Sequence, residues 1–156
     1  MSRDISKIAI IRYNESMAVP PVVKEAEGTW NGISRLHLSW NPEGEQVHES
    51  GSALTIDLDP QGAFATLRYT WEYEGEPQSG QMLIAASSES DQASIGWSDS
   101  WHQSGSVMHL IGTGAQGGAV LVKGEYEVEP PPNWGWRIEI HRPDANHLSL
   151  LMFNLE

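Results

Sequence analysis

From Gly28 to the end of the chain, apolar and polar residues alternate with period two, the spacing that puts successive side chains on opposite faces of an extended strand. In GTWNGISRLHLSW, Trp30, Leu36, Leu38 and Trp40 fall on one face, and Asn31, Arg35, His37 and Ser39 on the other. That predicts a half-buried strand. VHESGSALTIDLD groups Leu54, Ile56 and Leu58 in the same way. AFATLRYTWEY is the cleanest case: Leu67, Tyr69, Trp71 and Tyr73 point to one interior, and Thr66, Arg68, Thr70 and Glu72 point away from it. After the turn Glu74-Gly75-Glu76-Pro77 the pattern resumes in SGQMLIAASS. Further strands are predicted from Ala93 to Trp101, Val107 to Thr113, Ala119 to Val128, Trp134 to His141 and His147 to Leu155.

Turn-forming residues separate these strands, at Asp59-Pro60-Gln61-Gly62, Ser104-Gly105, Gln116-Gly117-Gly118 and Pro143-Asp144-Ala145-Asn146. The run Pro130-Pro131-Pro132 lacks the N–H groups a central strand donates, so it belongs outside any ladder. A series of about nine to ten short strands without a long helix implies an all-β, antiparallel up-and-down barrel, because closure removes the exposed edges of so large a sheet. A two-sheet sandwich is the alternative, since alternation does not distinguish closing from stacking. Residues 28–156 make up the β-barrel domain. Residues 1–27 form an irregular N-terminal arm and strap, with an extra strand from Ile5 to Tyr13 and a strap or short helix from Ala18 to Glu27.

Composition narrows the partners. A chain of 156 residues, 39% of them hydrophobic, suits one domain with a packed core. Twenty-one acidic residues against nine basic ones give a net charge of −12, which repels phosphate backbones and anionic lipid, so neither nucleic acid nor membrane is expected as a partner. With no cysteine there is neither a disulfide nor a thiolate metal site. The apolar run Ile8 to Ile11 is too short for a signal-peptide core or a membrane span, which points to the cytoplasm.

The stretch EGTWNG, Glu27 to Gly32, resembles the Gly-x-Trp signature that opens the first strand of the lipocalin and calycin group, and the following hairpins with a Trp-x-Asp middle strand are similar to uncharacterised bacterial lipocalin-like domains of unknown function. The resemblance covers Glu27 to about Leu155. It implies a calycin-like barrel with Trp30 packed across one end, against Arg137 or Arg142 of a late strand. The pattern departs from the group at its end, because HLSLLMFNLE offers no closing strand after it. Either the barrel is left incomplete, or Ile5 to Tyr13 supplies a strand within the chain or to a second copy, giving a homodimer. A haem-binding subgroup, the nitrobindins, would give His147 the iron, although the residues around it do not match their motif; no cofactor is expected.

Candidate chemistry centres on GWSDSWH. An extended reading puts Trp97, Asp99 and Trp101 on the interior face and Ser98, Ser100 and His102 outside, so a carboxylate stands between two indoles. A buried carboxylate needs partners, and the choice lies between a structural network and an oriented ligand. The expected ligand-binding set is Tyr69, Trp71, Trp97, Asp99, Trp101, His109 and Trp136, an aromatic-walled pocket for a small hydrophobic or aromatic molecule. His109 joins Asp99 only if the Ser104-Gly105 hairpin has a three-residue loop; a two-residue loop brings Met108 and Leu110 to that face instead. The alternatives are an enzyme using Asp99 with His109 as acid and base, and a strand-exchanging assembly protein. The six histidines have no tight metal spacing, so no metal is expected. Glu125 and Glu127 share a face that reads as solvated.

Overall fold

The computed structural model describes residues 17–38, 43–44, 46–103 and 105–155. The expected strand from Ile5 to Tyr13 and the side chain of Trp40 lie outside these residues. A two-residue strand β1 (Met17–Ala18) and a single helical turn α1 (Pro21–Lys24) precede nine long strands. These are β2 (Gly28–Leu38), β3 (Gln46–Leu58), β4 (Ala65–Tyr73), β5 (Glu76–Ser87), β6 (Gln92–Asp99), β7 (Met108–Thr113), β8 (Val120–Tyr126), β9 (Trp134–Asp144) and β10 (His147–Leu155). Each pairs antiparallel with the next, in the spatial order β10-β9-β8-β7-β6-β5-β4-β3-β2. The sheet curls into a nearly closed up-and-down barrel. Among the described residues no ladder joins β2 to β10, so a seam lies between the first and last long strands of this part of the chain.

Register explains why the alternation buries one face. Leu67 opposes Met82, Met82 opposes Trp97 and Trp97 opposes Met108, which makes one interior layer across β4 to β7. Ala65, Ile84, Ile95 and Leu110 make the next in the same way. All eight are buried. Each large apolar side chain in these layers is worth about 1.5–3 kcal/mol relative to exposure. The outward positions Arg68, Thr70 and Glu72 of β4 are exposed, as the alternation requires. Arg68 is held at 2.5 Å by Asp57 of β3.

The strap places its apolar residues against the same core. Pro21 occupies the start of α1, where its missing N–H costs nothing, and Val22, Val23 and Ala26 are buried. Trp30 Nε1 donates to the Ala26 carbonyl at 2.9 Å, so the first tryptophan of β2 is tied to the strap. Of the two late-strand arginines, Arg142 Nη1 donates to Glu25 Oε2 in the strap at 3.0 Å, and Arg137 lies 2.8 Å from Glu139 and 4.3 Å above the Phe153 ring.

Three expectations change. β6 stops at Asp99 instead of Trp101, β8 stops at Tyr126, and β9 runs on to Asp144. The aromatic interior is smaller than all seven tryptophans would make it. Trp71 and Trp97 are buried, Trp30 and Trp136 are half-buried, and Trp101 and Trp134 are each 37% exposed, the first beyond a strand end and the second at a strand start. Pro130 to Pro132 lie between β8 and β9, outside the ladder, and Glu125 and Glu127 are exposed. No helix among the described residues is long and apolar enough to cross a membrane.

Candidate functional site

A cleft of about 600 Å³ opens at the seam, flanked by Leu36 of β2 and Leu150 of β10, with Tyr69, Trp71, His102 and Trp136 forming its inner end. The seam therefore gives access to the aromatic part of the interior. His102 belongs to this wall because of what happens where β6 ends.

Asp99 is the last residue of β6, and its Oδ1 accepts the backbone N–H of Trp101 at 2.8 Å and of His102 at 2.5 Å. This is an Asx turn, in which a short acidic side chain replaces the strand partner and reverses the chain within three residues. The reversal swings His102 back over Asp99, bringing Nδ1 to 2.9 Å from Oδ2. Oδ2 also accepts the Tyr69 hydroxyl at 2.7 Å, and Tyr69 Oη accepts Trp97 Nε1 at 2.9 Å. Trp97, Tyr69 and His102 thus form a chain of donors that ends on one carboxylate.

A glycine makes the chain of bonds sterically feasible. Tyr69 on β4 opposes Gly80 on β5, and Gly80 opposes Asp99 on β6. A Cβ at Gly80 would fall inside the Tyr69 ring and hydroxyl, so only a residue without a side chain lets the phenol lie across β5 and reach the carboxylate.

Electrostatics fix the protons. Burial pushes the Asp99 pKa up, but hydrogen bonds from the His102 side chain and backbone, attraction to the His102 ring when it is protonated, and the Tyr69 hydroxyl outweigh it and hold the group below its ordinary 3.8. Burial, then the neighbouring carboxylate, push the Tyr69 phenol well above its usual range, so it remains a donor. An ionised carboxylate only accepts, so Nδ1 of His102 carries the proton that faces Asp99, and Nε2 of the neutral ring is an acceptor. Among the described residues no hydrogen bond reaches Nε2. The imidazole stacks on Trp71 at 6.0 Å between centroids and meets the Trp136 edge at 4.9 Å, with Trp97 at 5.9 Å behind it. The site can therefore present one nitrogen lone pair in a wall of indoles.

A pH dependence follows, with its sign set by the lowered folded-state pKa. The charge on Asp99 contributes stability that is present above its unfolded value and lost as pH falls through the lower folded value. The stability gap between wild type and Asp99→Asn should therefore be full at about pH 6 and narrow as pH falls below the ordinary carboxylate range, measured by urea denaturation. A gap that does not change as pH falls would contradict the assignment.

Of the seven expected site residues, Tyr69, Trp71 and Trp136 line the cleft. Trp97 lies buried behind it and supports Tyr69. Asp99 does not line it: the turn lays His102 over the carboxylate, whose side chain has no exposed surface. Trp101 falls outside the lining, packed edge-on against Trp71 at 5.8 Å and Tyr73 at 4.6 Å. His109 is exposed on the outer face opposite Gly96, with Met108 and Leu110 turned inward, so no Asp99/His109 pair forms. The register is the reason: Trp97 pairs with Met108 and Gly96 with His109, which puts Met108 and Leu110 on the inner face as the two-residue alternative would, although the connection from β6 to β7 is longer. His147 lines the cleft from the start of β10, 71% exposed, with Nδ1 2.8 Å from Asp144. The alternation missed His102 and Gly80. The signals for them were an Asp at a strand end three residues before a His, and a Gly in the inward phase of a strand.

No protein-family model, curated protein or solved structure matches the chain.

Proposed function

We propose that the protein is a calycin-like binding barrel that admits a small, flat, largely apolar molecule through the seam and holds it against Tyr69, Trp71 and Trp136. His102 Nε2 is the polar contact, and Asp99 is the positioning residue behind it. The observation that carries this reading is the cleft-facing imidazole whose other nitrogen is held by a buried carboxylate, within a wall of indoles. A carboxylate used this way acts on ring orientation and tautomer without touching the ligand. The volume is that of a small-molecule site, and the inner end of the cleft is aromatic while polar residues such as Ser34 and Asn154 line it further out. The strap, the Trp30 start and the meander support the calycin comparison. An acid–base enzyme would need a proton-transfer partner facing His102, and among the described residues at the inner end the other groups are aromatic.

Ser34 faces the cleft from β2 without belonging to the buried core, so Ser34→Trp fills the cleft and spares the fold. The neutral dye N-phenyl-1-naphthylamine should bind the wild type saturably, quench the Trp71 and Trp136 emission, and bind Ser34→Trp about tenfold or more weakly. Equal binding to both proteins, or none to the wild type, would overturn the reading.

A further inference from the structure

We infer that the ligand is a phenol: a flat aromatic molecule that donates one hydroxyl proton to His102 Nε2. The inference rests on the binding reading above and specifies its chemistry. It starts from the direction of every hydrogen bond around the carboxylate. Asp99 is ionised and fully buried, so Tyr69 and His102 Nδ1 must both be donors to it. The Tyr69 oxygen in turn accepts from Trp97. The hydroxyl and the carboxylate are used up within the network, and what the network offers the cleft is the Nε2 lone pair. A lone pair asks the ligand for a donor.

Three observations choose a hydroxyl on an aromatic ring. The walls beside the imidazole are indoles, Trp71 stacked on it at 6.0 Å and Trp136 edge-on to it at 4.9 Å between centroids, and such aromatic walls take up a flat π-system. The carboxylate behind the imidazole strengthens Nε2 as an acceptor, and a strong acceptor gains most from an acidic donor, so a phenol O–H suits it better than a weakly acidic indole N–H. Charge removes the other candidates. No acidic side chain lines the cleft among its described residues, although the chain carries 21, so an ammonium would be stripped of water with no carboxylate to meet it. An aromatic carboxylate carries no proton for Nε2, it enters a protein of net charge −12 against its field, and Arg35, which lines the cleft, is already paired with Glu49 at 2.7 Å.

The test compares 2-naphthol with 2-methylnaphthalene, which has the same shape but no donor, on wild type and on His102→Phe, which keeps a flat ring but removes the acceptor. Wild type should bind the naphthol about tenfold more tightly, and His102→Phe should collapse that ratio towards one while still binding the hydrocarbon. Equal affinity of the two probes for wild type would overturn the phenol assignment while leaving the cleft as a binding site. A preference that survives in His102→Phe would overturn the role of Nε2. Binding of neither probe would instead remove the binding reading itself. Should His102→Phe not fold, the wild-type ratio alone still decides whether a donor is required.

Discussion

Asp99→Ala should cost the protein roughly 3–5 kcal/mol of stability, the range for removing one member of a buried charged network. Four donors converge on that carboxylate: the Tyr69 hydroxyl, His102 Nδ1, and the backbone N–H groups of Trp101 and His102. Alanine leaves the buried donors facing a void and removes the acceptor that closes the turn after β6. A domain of this kind has about 5–15 kcal/mol in total, so the loss should appear as a large fall in the urea midpoint, with His102 released from the cleft wall. Asp99→Asn keeps one acceptor oxygen but turns an NH2 towards the remaining donors, and should fall between alanine and wild type. A cost below about 1 kcal/mol for Asp99→Ala would mean that the converging bonds contribute little beyond what water supplies.

Gly80→Ala should destabilise by about 3 kcal/mol, at the upper end of what overpacking a filled interior costs. The new methyl group has no free space, because Tyr69 Cζ and Oη occupy its position. Tyr69 must leave Asp99, and Trp97 Nε1 then loses its acceptor. The strain belongs to the pair of residues, so it should be relieved by a smaller partner. In the Tyr69→Val background, Gly80→Ala should cost at least about 1 kcal/mol less than in wild type, read as the coupling energy of a double-mutant cycle. Additive costs would show that the glycine serves some purpose other than seating the phenol.

The legible part of the fold was the part where one phase of a strand is apolar and the other polar. β4 is the example: Leu67, Tyr69 and Trp71 are buried while Arg68, Thr70 and Glu72 are exposed, and no other register satisfies both sets. β7 lacked that contrast. Val107, His109 and Ile111 alternate with Met108 and Leu110, so both phases carry large apolar residues; the structure buries Met108 and Leu110 and leaves Val107 76% exposed. Asp99 was visible as an anomaly, yet its role depends on bonds from its side chain to the next backbone N–H groups, which end the strand and break the period-two rule for Trp101 and His102. The missing closing strand after HLSLLMFNLE left an incomplete barrel as one of two outcomes, but the cleft at the seam was not legible, because it reflects how the registers of nine strands accumulate around the barrel.

Asp99 holds His102 with its proton on Nδ1, leaving Nε2 as an acceptor in the cleft. Nitrogen-15 spectra of histidine-labelled protein test it directly, with the His102 signals assigned by their loss in His102→Phe. At a pH where the ring is neutral, His102 should show a protonated Nδ1 and a lone-pair Nε2, and addition of 2-naphthol should shift Nε2 while Nδ1 stays in place. A spectrum with the proton on Nε2, or two nitrogens that ignore saturating naphthol, would contradict it.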